Sequence, residues 1–369
     1  LHAEMATFAE AGVSGKDGIQ INVSGVSLDL NGFELLGVSG SLNGVNIVAG
    51  AALTNIAVLN GSVRNWGGAG VTTLFGGSDF RVSGILASGN LGSGIKLGEL
   101  LSASPNNVAC TVTHCTAANN SGDVAISVGN GSTVSNCSVS TNNTANGIFA
   151  RDGSTVSSCS VFFNQGLGIS TATACTLSDC SVLSSANGGS GIFAGAGSTL
   201  SNCSSSNNQA HGIATGSSCT LINCTANANT LNGFNILNDC ALSNCVANGN
   251  TGSGINAPNG CVIQECLADN NSANGITAAL GCTIRNCHVR ANPQNGIQSG
   301  SGGQIIDNLL DGNGLAAGTQ SNILLTGDSA RVEGNSILGG DRGIATNGGG
   351  NVIVRNSVRG GTNPYGGIA

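Results

Sequence analysis

The stretch Cys282-Thr283-Ile284-Arg285-Asn286-Cys287-His288-Val289-Arg290-Ala291-Asn292, closing at Asn295-Gly296-Ile297, decides the fold. Apolar and polar residues alternate in two short runs, Cys282/Ile284 and Cys287/Val289, and a period of two marks a β-strand. A further run starts at Gly-Ile, as in Gly275-Ile276. Gly, Asn, Ser and Thr fill the intervening positions, which disfavours helix. Three short strands with turns between them therefore fit in one unit.

The unit repeats. Aligned on one cysteine per unit, it recurs at Cys115, Cys137, Cys159, Cys180, Cys203, Cys224, Cys245, Cys266 and Cys287, with spacings of 22, 22, 21, 23, 21, 21, 21 and 21. Such regularity is the mark of a structural repeat in which each unit buries its apolar face only against its neighbours. With strands from successive units pairing about 4.8 Å apart, the sequence predicts an all-β, right-handed parallel β-helix with three short strands per rung. Asn308, Asn335 and Asn356 continue the aligned column after the cysteines, and Asn31, Asn60 and Ile85 are expected to continue it before them, which makes about 15 rungs. The expected organisation is an N-terminal cap segment over 1–17 and the β-helix over 18–369, with loop insertions near 97–109 and 315–330. Leu1, Met5 and Phe8 opposite Glu4 and Glu10 suit a small helical cap.

Composition agrees. The chain of 369 residues has 60 glycines, only 8% charged residues and 40% hydrophobic ones, and the apolar residues recur at fixed spacing, unlike those of a disordered linker. The net charge of -7 leaves no basic patch, which argues against nucleic acid as a partner. No apolar run has the length of a membrane-spanning helix. The sequence opens on Leu1 with no signal-peptide pattern, which reads as a processed or truncated chain; an extracellular or cell-surface location is the expectation.

Five positions after the aligned residue stands a second column, expected to run from Asn65 and Asn90 to Asn292 and Asn313, interrupted at Ser185. Stacked Asn side chains hydrogen-bond along a stack and tolerate the left-handed backbone of a sharp corner, so this ladder reads as structural. These coils, the Gly-Ile strand start and the opening Gly25-Val26-Ser27-Leu28-Asp29-Leu30-Asn31-Gly32-Phe33 resemble the pectin-lyase-like superfamily, and more narrowly bacterial right-handed β-helix repeat proteins, over residues 18–369. The resemblance implies the fold. It does not select an activity, because that fold carries lyases, hydrolases, epimerases, adhesins and phage tailspikes.

The catalytic motifs of the polygalacturonases, pectate lyases and alginate epimerases are absent, so no catalytic residue carries over. One local cluster remains: Asp269, Arg290 and Asp311 at equivalent outward positions on successive rungs, with His288 beside Arg290. Such a file reads as a surface ion-pair ladder, or as a carboxylate pair flanking an Arg in a polysaccharide lyase or glycoside hydrolase. His114 and His211 read as exposed turn residues.

All 15 cysteines fall into two inward columns, the second holding Cys110, Cys175, Cys219, Cys240, Cys261 and Cys282, with Ser132, Ser154 and Ser198 in the remaining rungs. Three readings are open: buried thiols as small apolar filler, disulfides between rungs, and metal binding. The Cys-x4-Cys spacing lacks the short knuckle of a zinc site, so no metal and no cofactor is expected. On the second strand's outer face, Thr111/Thr113, Thr133/Ser135, Thr155/Ser157, Thr176/Ser178 and Thr199/Ser201 form two hydroxyl files. They suit exposed strand positions and also resemble the arrays of ice-binding solenoids.

The functional expectation is a non-catalytic extracellular structural or surface solenoid that contacts carbohydrate, with a polysaccharide-cleaving enzyme as the alternative and ice binding as a minor one. The sequence stops at Gly366-Gly367-Ile368-Ala369, which reads as the first strand of a new rung. Truncation and a cap supplied by a second copy both account for that ending, and the second predicts head-to-tail stacking into filaments.

Overall fold

The computed structural model describes residues 13–48, 53–73, 76–98, 108–143, 146–183, 189–315, 320–360 and 363–366. The chain is a right-handed parallel β-helix, and among the described residues it contains no helix. It divides into two units, Leu1–Gly189 and Ser190–Ala369. The proposed cap helix over residues 1–12 and Ser185 lie outside the described residues, as do parts of both loop insertions.

One rung of the second unit shows how the sequence builds the coil. The first strand is Ile276–Ala278, the second Thr283–Arg285 and the third His288–Arg290. Each pairs in parallel with its equivalent one rung on: Ile276 with Ile297, Thr283 with Gln304, His288 with Leu309. First strands form one sheet, and second and third strands form another. Corners are made by residues with positive φ: Gly281 (63°) before the second strand, Asn286 (52°) between second and third, Ala291 (52°) after the third. The left-handed region is costly for most L-residues and least so for Gly and Asn. That is why Asn recurs at the middle corner, at Asn136, Asn202, Asn223, Asn244 and Asn286.

Between the corners, period two sends alternate side chains inward. Cys282, Ile284, Cys287 and Val289 are at most 1% exposed, while Thr283 and His288 are partly exposed and Arg285 and Arg290 are exposed. The Ile column of the first strands is completely buried from Ile192 to Ile344, with Phe234 taking one rung. Gly precedes that Ile because the backbone there passes over the Asn ladder. A Cβ added at Gly275 would lie 2.7 Å from both Asn292 Nδ2 and the Gly296 carbonyl oxygen.

The ladder is a run of side-chain amides inside the turn after the third strand. In the second unit Nδ2 of each Asn donates to Oδ1 of the next: Asn208 to Asn229 (2.8 Å), Asn229 to Asn250 (2.9 Å), Asn250 to Asn271 (2.8 Å), Asn271 to Asn292 (3.1 Å) and Asn292 to Asn313 (2.9 Å). The rung after Asn313 offers Gly340 at the ladder position. Asn322 replaces the usual Gly before Ile323 and accepts from Asn313 Nδ2 at 2.9 Å. Nothing in the repeat signals this substitute, because Asn322 sits outside the ladder's own register.

The N-terminal register differs from the expectation by a small slip. Pairing of Glu34 with Ser62, of Ser62 with Leu86 and of Leu86 with Thr116 places Phe33, Gly61 and Ile85 in the aligned column, not Asn31 and Asn60. Asn31 and Asn60 have φ of 49° and 51° and make the corner. By the same slip the ladder begins at Trp66, not Asn65: Trp66 N–H donates to Asn90 Oδ1 (3.0 Å), while Asn65 takes a positive φ of 58°. Asn is favoured at both kinds of position, so Asn-rich sequence does not separate ladder from corner.

Candidate functional site

The fold aligns Asp269, Arg290 and Asp311 as expected: Asp269 pairs with Arg290 and Arg290 with Asp311 on third strands. Arg290 Nη2 donates to Asp269 Oδ2 at 2.7 Å, and that hydrogen bond raises the guanidinium pKa. Arg290 and Asp311 are exposed. Among the described residues Asp311 forms no ion pair, and two rung spacings, roughly 10 Å, separate its Cα from that of Asp269. The cluster thus consists of one surface ion pair and one solvated carboxylate. A surface ladder needs no more than this ion pair, whereas a carboxylate pair flanking an Arg would need one carboxyl held protonated to act as a general acid. His288 pairs with Leu267 and Leu309 and lies between apolar neighbours on the same face.

The hydroxyl files are in register over the first unit's rungs: Thr111, Thr133, Thr155 and Thr176 in one, Thr113, Ser135, Ser157 and Ser178 in the other. Ser135 Oγ donates to Thr113 Oγ1 at 3.2 Å, so part of the array is satisfied internally. In the second unit the files are interrupted at Ile222 and Ala241.

A second array, which repeat analysis did not single out, covers the outer face of the first-strand sheet in the second unit. Its central column runs Phe193, Ala214, Asn235, Asn256, Thr277 and Gln298, one residue per rung. These side chains sit between the inward Ile and the next inward residue, so they face out by the same period-two rule. Asn256 Nδ2 donates to Asn235 Oδ1 at 2.9 Å. Asn274 Nδ2 donates to both Thr277 Oγ1 (3.0 Å) and Gln298 Oε1 (3.2 Å). The flanking column, His211, Asn232, Ser253, Asn274 and Asn295, is tied rung to rung by further bonds, such as Asn295 N–H to Asn274 Oδ1 at 2.9 Å. Among the described residues Asn256 Oδ1 and Gln298 Nε2 take no protein partner and are left for a ligand or water. Phe193 is 37% exposed at one end of the column.

His211 is a correction. It is half-buried rather than an exposed turn residue, and its Nδ1 accepts the Asn232 N–H at 3.2 Å. Burial lowers its pKa, so the ring is neutral at pH 7 and presents its other nitrogen as a donor. His114 is exposed at a corner, with φ 53°.

All 15 cysteines are buried free thiols. Burial pushes the Cys110 thiol up to about 11 and raises Cys175, so neither is a nucleophile at neutral pH. All 15 being free thiols, no disulfide joins neighbouring rungs in this structure. In-register parallel side chains keep their Cβ atoms at the strand spacing of about 4.8 Å, beyond the roughly 3.5–4.5 Å a disulfide needs.

A family model described as "Right handed beta helix region" matches residues 146–283. Among solved structures the chain is similar to the A-modules of two mannuronan C-5 epimerases from Azotobacter vinelandii. For one, identity is 16%, 86% of this chain and 91% of that chain are covered, and the TM-score is 0.45. For the other the values are 19%, 86%, 90% and 0.44. It is also similar to a tailspike protein of Acinetobacter baumannii bacteriophage Fri1, a capsular polysaccharide depolymerase, at 12% identity, with 85% of this chain and 57% of that chain covered and a TM-score of 0.37. At this distance the likeness concerns the fold. No curated protein sequence matches the chain.

Proposed function

We propose that this protein is an extracellular, non-catalytic β-solenoid that holds a polysaccharide along the outer face of its first-strand sheet. The observation that carries the reading is the in-register row Asn235, Asn256, Thr277 and Gln298. A polysaccharide is a repeating polymer of hydroxyls that both donate and accept. Amides and hydroxyls repeated about every 4.8 Å meet it with the same dual capacity. The amide network fixes these side chains in advance, which lowers the entropy lost on binding. Phe193 adds an apolar ring suited to the C–H face of a sugar. The row carries no formal charge, which favours a neutral polymer over an acidic one. An extracellular location is part of the same proposal.

Affinity electrophoresis through gels containing neutral polysaccharides tests the reading. Retardation of the parent that is lost in the Asn256→Ala/Gln298→Ala double variant supports it; unretarded migration in every neutral polymer overturns it. Head-to-tail self-association is a separate part of the proposal, read by light scattering. Mass that grows with concentration supports it, and a constant monomer mass overturns it.

A further inference from the structure

The second unit holds an uninterrupted inward column of four thiols, Cys219, Cys240, Cys261 and Cys282, placed in register by the strand pairs that follow each. All four are at most 1% exposed. Their sulfurs repeat one geometry, each donating to a backbone carbonyl of the preceding rung: Gly195 (3.2 Å), Gly216 (3.3 Å), Leu237 (3.2 Å) and Pro258 (3.1 Å). Adjacent thiols also meet through the backbone, as Cys219 N–H donates to Cys240 Sγ at 3.3 Å. Ser198 and Gly303 bound the column at either end.

We propose that this column binds a thiophilic d10 ion in linear two-coordinate bridges between neighbouring rungs, with Hg(II) as the ion whose charge and geometry fit. Three constraints select that chemistry. The first is spacing: a rung repeat of about 4.8 Å is too long for a disulfide but close to the roughly 4.6 Å span of two collinear metal–thiolate bonds of about 2.3 Å each. The second is coordination number. Among the described residues no three His, Cys, Asp or Glu side chains converge on one ion, which excludes tetrahedral ions and leaves pairs. The third is charge. No Lys or Arg is among the buried described residues, so a bound complex must be neutral to avoid an uncompensated buried charge. Two thiolates and one divalent ion sum to zero. In each bridge two S–H bonds break, two S–Hg bonds form, two protons leave to solvent, and nothing is oxidised or reduced. Sequence spacing concealed the site because the ligand pairs lie 21 residues apart, one full rung.

The test uses the full chain, loaded with mercuric chloride both in the folded state and during refolding. It is then washed with excess glutathione to strip ions held by a single thiol. Retained mercury is counted by mass spectrometry and its shell read by X-ray absorption. The variants are Cys240→Ser and Cys219→Ser/Cys240→Ser. Ser already occupies this column at Ser132, Ser154 and Ser198, so both should fold, which circular dichroism checks. Bridging predicts that the single variant loses one retained ion relative to the parent, that the double variant loses the same one and no more, and that each ion sees two sulfurs. Loss of two ions in the double variant, or no glutathione-resistant mercury under either loading, overturns the proposal.

Discussion

Asn250 Oδ1 accepts two hydrogen bonds from Asn229, one from its backbone N–H and one from its side-chain Nδ2, both at 2.9 Å. One carbonyl oxygen thus satisfies two buried donors from the rung before. Asn250 Nδ2 in turn bonds the Ala226 carbonyl at 2.9 Å and Asn271 Oδ1 at 2.8 Å. With the Ser205 carbonyl taking the second Nδ2 hydrogen of Asn229 at 3.3 Å, the ladder satisfies the amides of this buried corner.

Asn250→Ala therefore removes the acceptor of two N–H groups of Asn229, one backbone and one side-chain, while the Ser205 carbonyl still takes the other Nδ2 hydrogen. The expected cost is about 2–3 kcal/mol of unfolding free energy, since each orphaned buried group costs on the order of 1–3 kcal/mol and local relaxation recovers part. Urea denaturation measures it, and amide exchange at Asn229 should accelerate. A loss within error of zero would mean that water replaces the ladder at no cost.

Gly275→Ala should destabilise by about 1–3 kcal/mol, the range for overpacking, because the new methyl meets Asn292 Nδ2 and the Gly296 carbonyl. Gly281→Asn is the contrast. Gly281 has φ +63° with open space around its Cβ direction, and Asn adopts that conformation readily. Its Tm should stay close to that of the parent.

His211 links stability to pH. Burial holds its folded pKa below the unfolded value near 6.5. Below about pH 6.5 the unfolded chain takes up a proton that the folded chain resists. Its contribution is therefore fully present above that pH and declines as pH falls toward the lower folded pKa. His211→Gln should reduce the fall in Tm between about pH 7.5 and pH 5. An unchanged slope would show that His211 titrates normally in the folded state.

Asp269→Asn and Asp311→Asn should leave Tm and polysaccharide binding as in the parent, and neither parent nor variant should cleave polysaccharide. Cleavage by the parent that either substitution abolishes would make the trio a catalytic site and displace the ion-pair account.

Period-two alternation and a 21-residue repeat make the strands, the inward Cys and Ile columns and most of the Asn ladder legible in the sequence. The parts that escaped share a physical cause. Asn31, Asn60 and Asn65 stand at left-handed corners and not in the aligned or ladder columns, and the sequence does not separate the two because Asn serves both. Asn322 was invisible because it reaches the ladder from another strand. Asp269, Arg290 and Asp311 were legible as neighbours, since their spacing is one rung. The row through Asn256 and Gln298 was not, because its column lacks a single repeated residue type and ordinary polar residues on an exposed strand carry no signal in one sequence.

The most direct test of polysaccharide contact along that row is calorimetric titration with neutral oligosaccharides of increasing length. Asn235 to Gln298 spans three rung spacings, about 14 Å. Affinity should rise with length until the oligosaccharide covers that span and then level off. Asn256→Ala/Gln298→Ala should weaken it roughly tenfold or more, as expected for two hydrogen bonds of about 1 kcal/mol each. Binding that is independent of length, or unchanged in the double variant, would contradict the account.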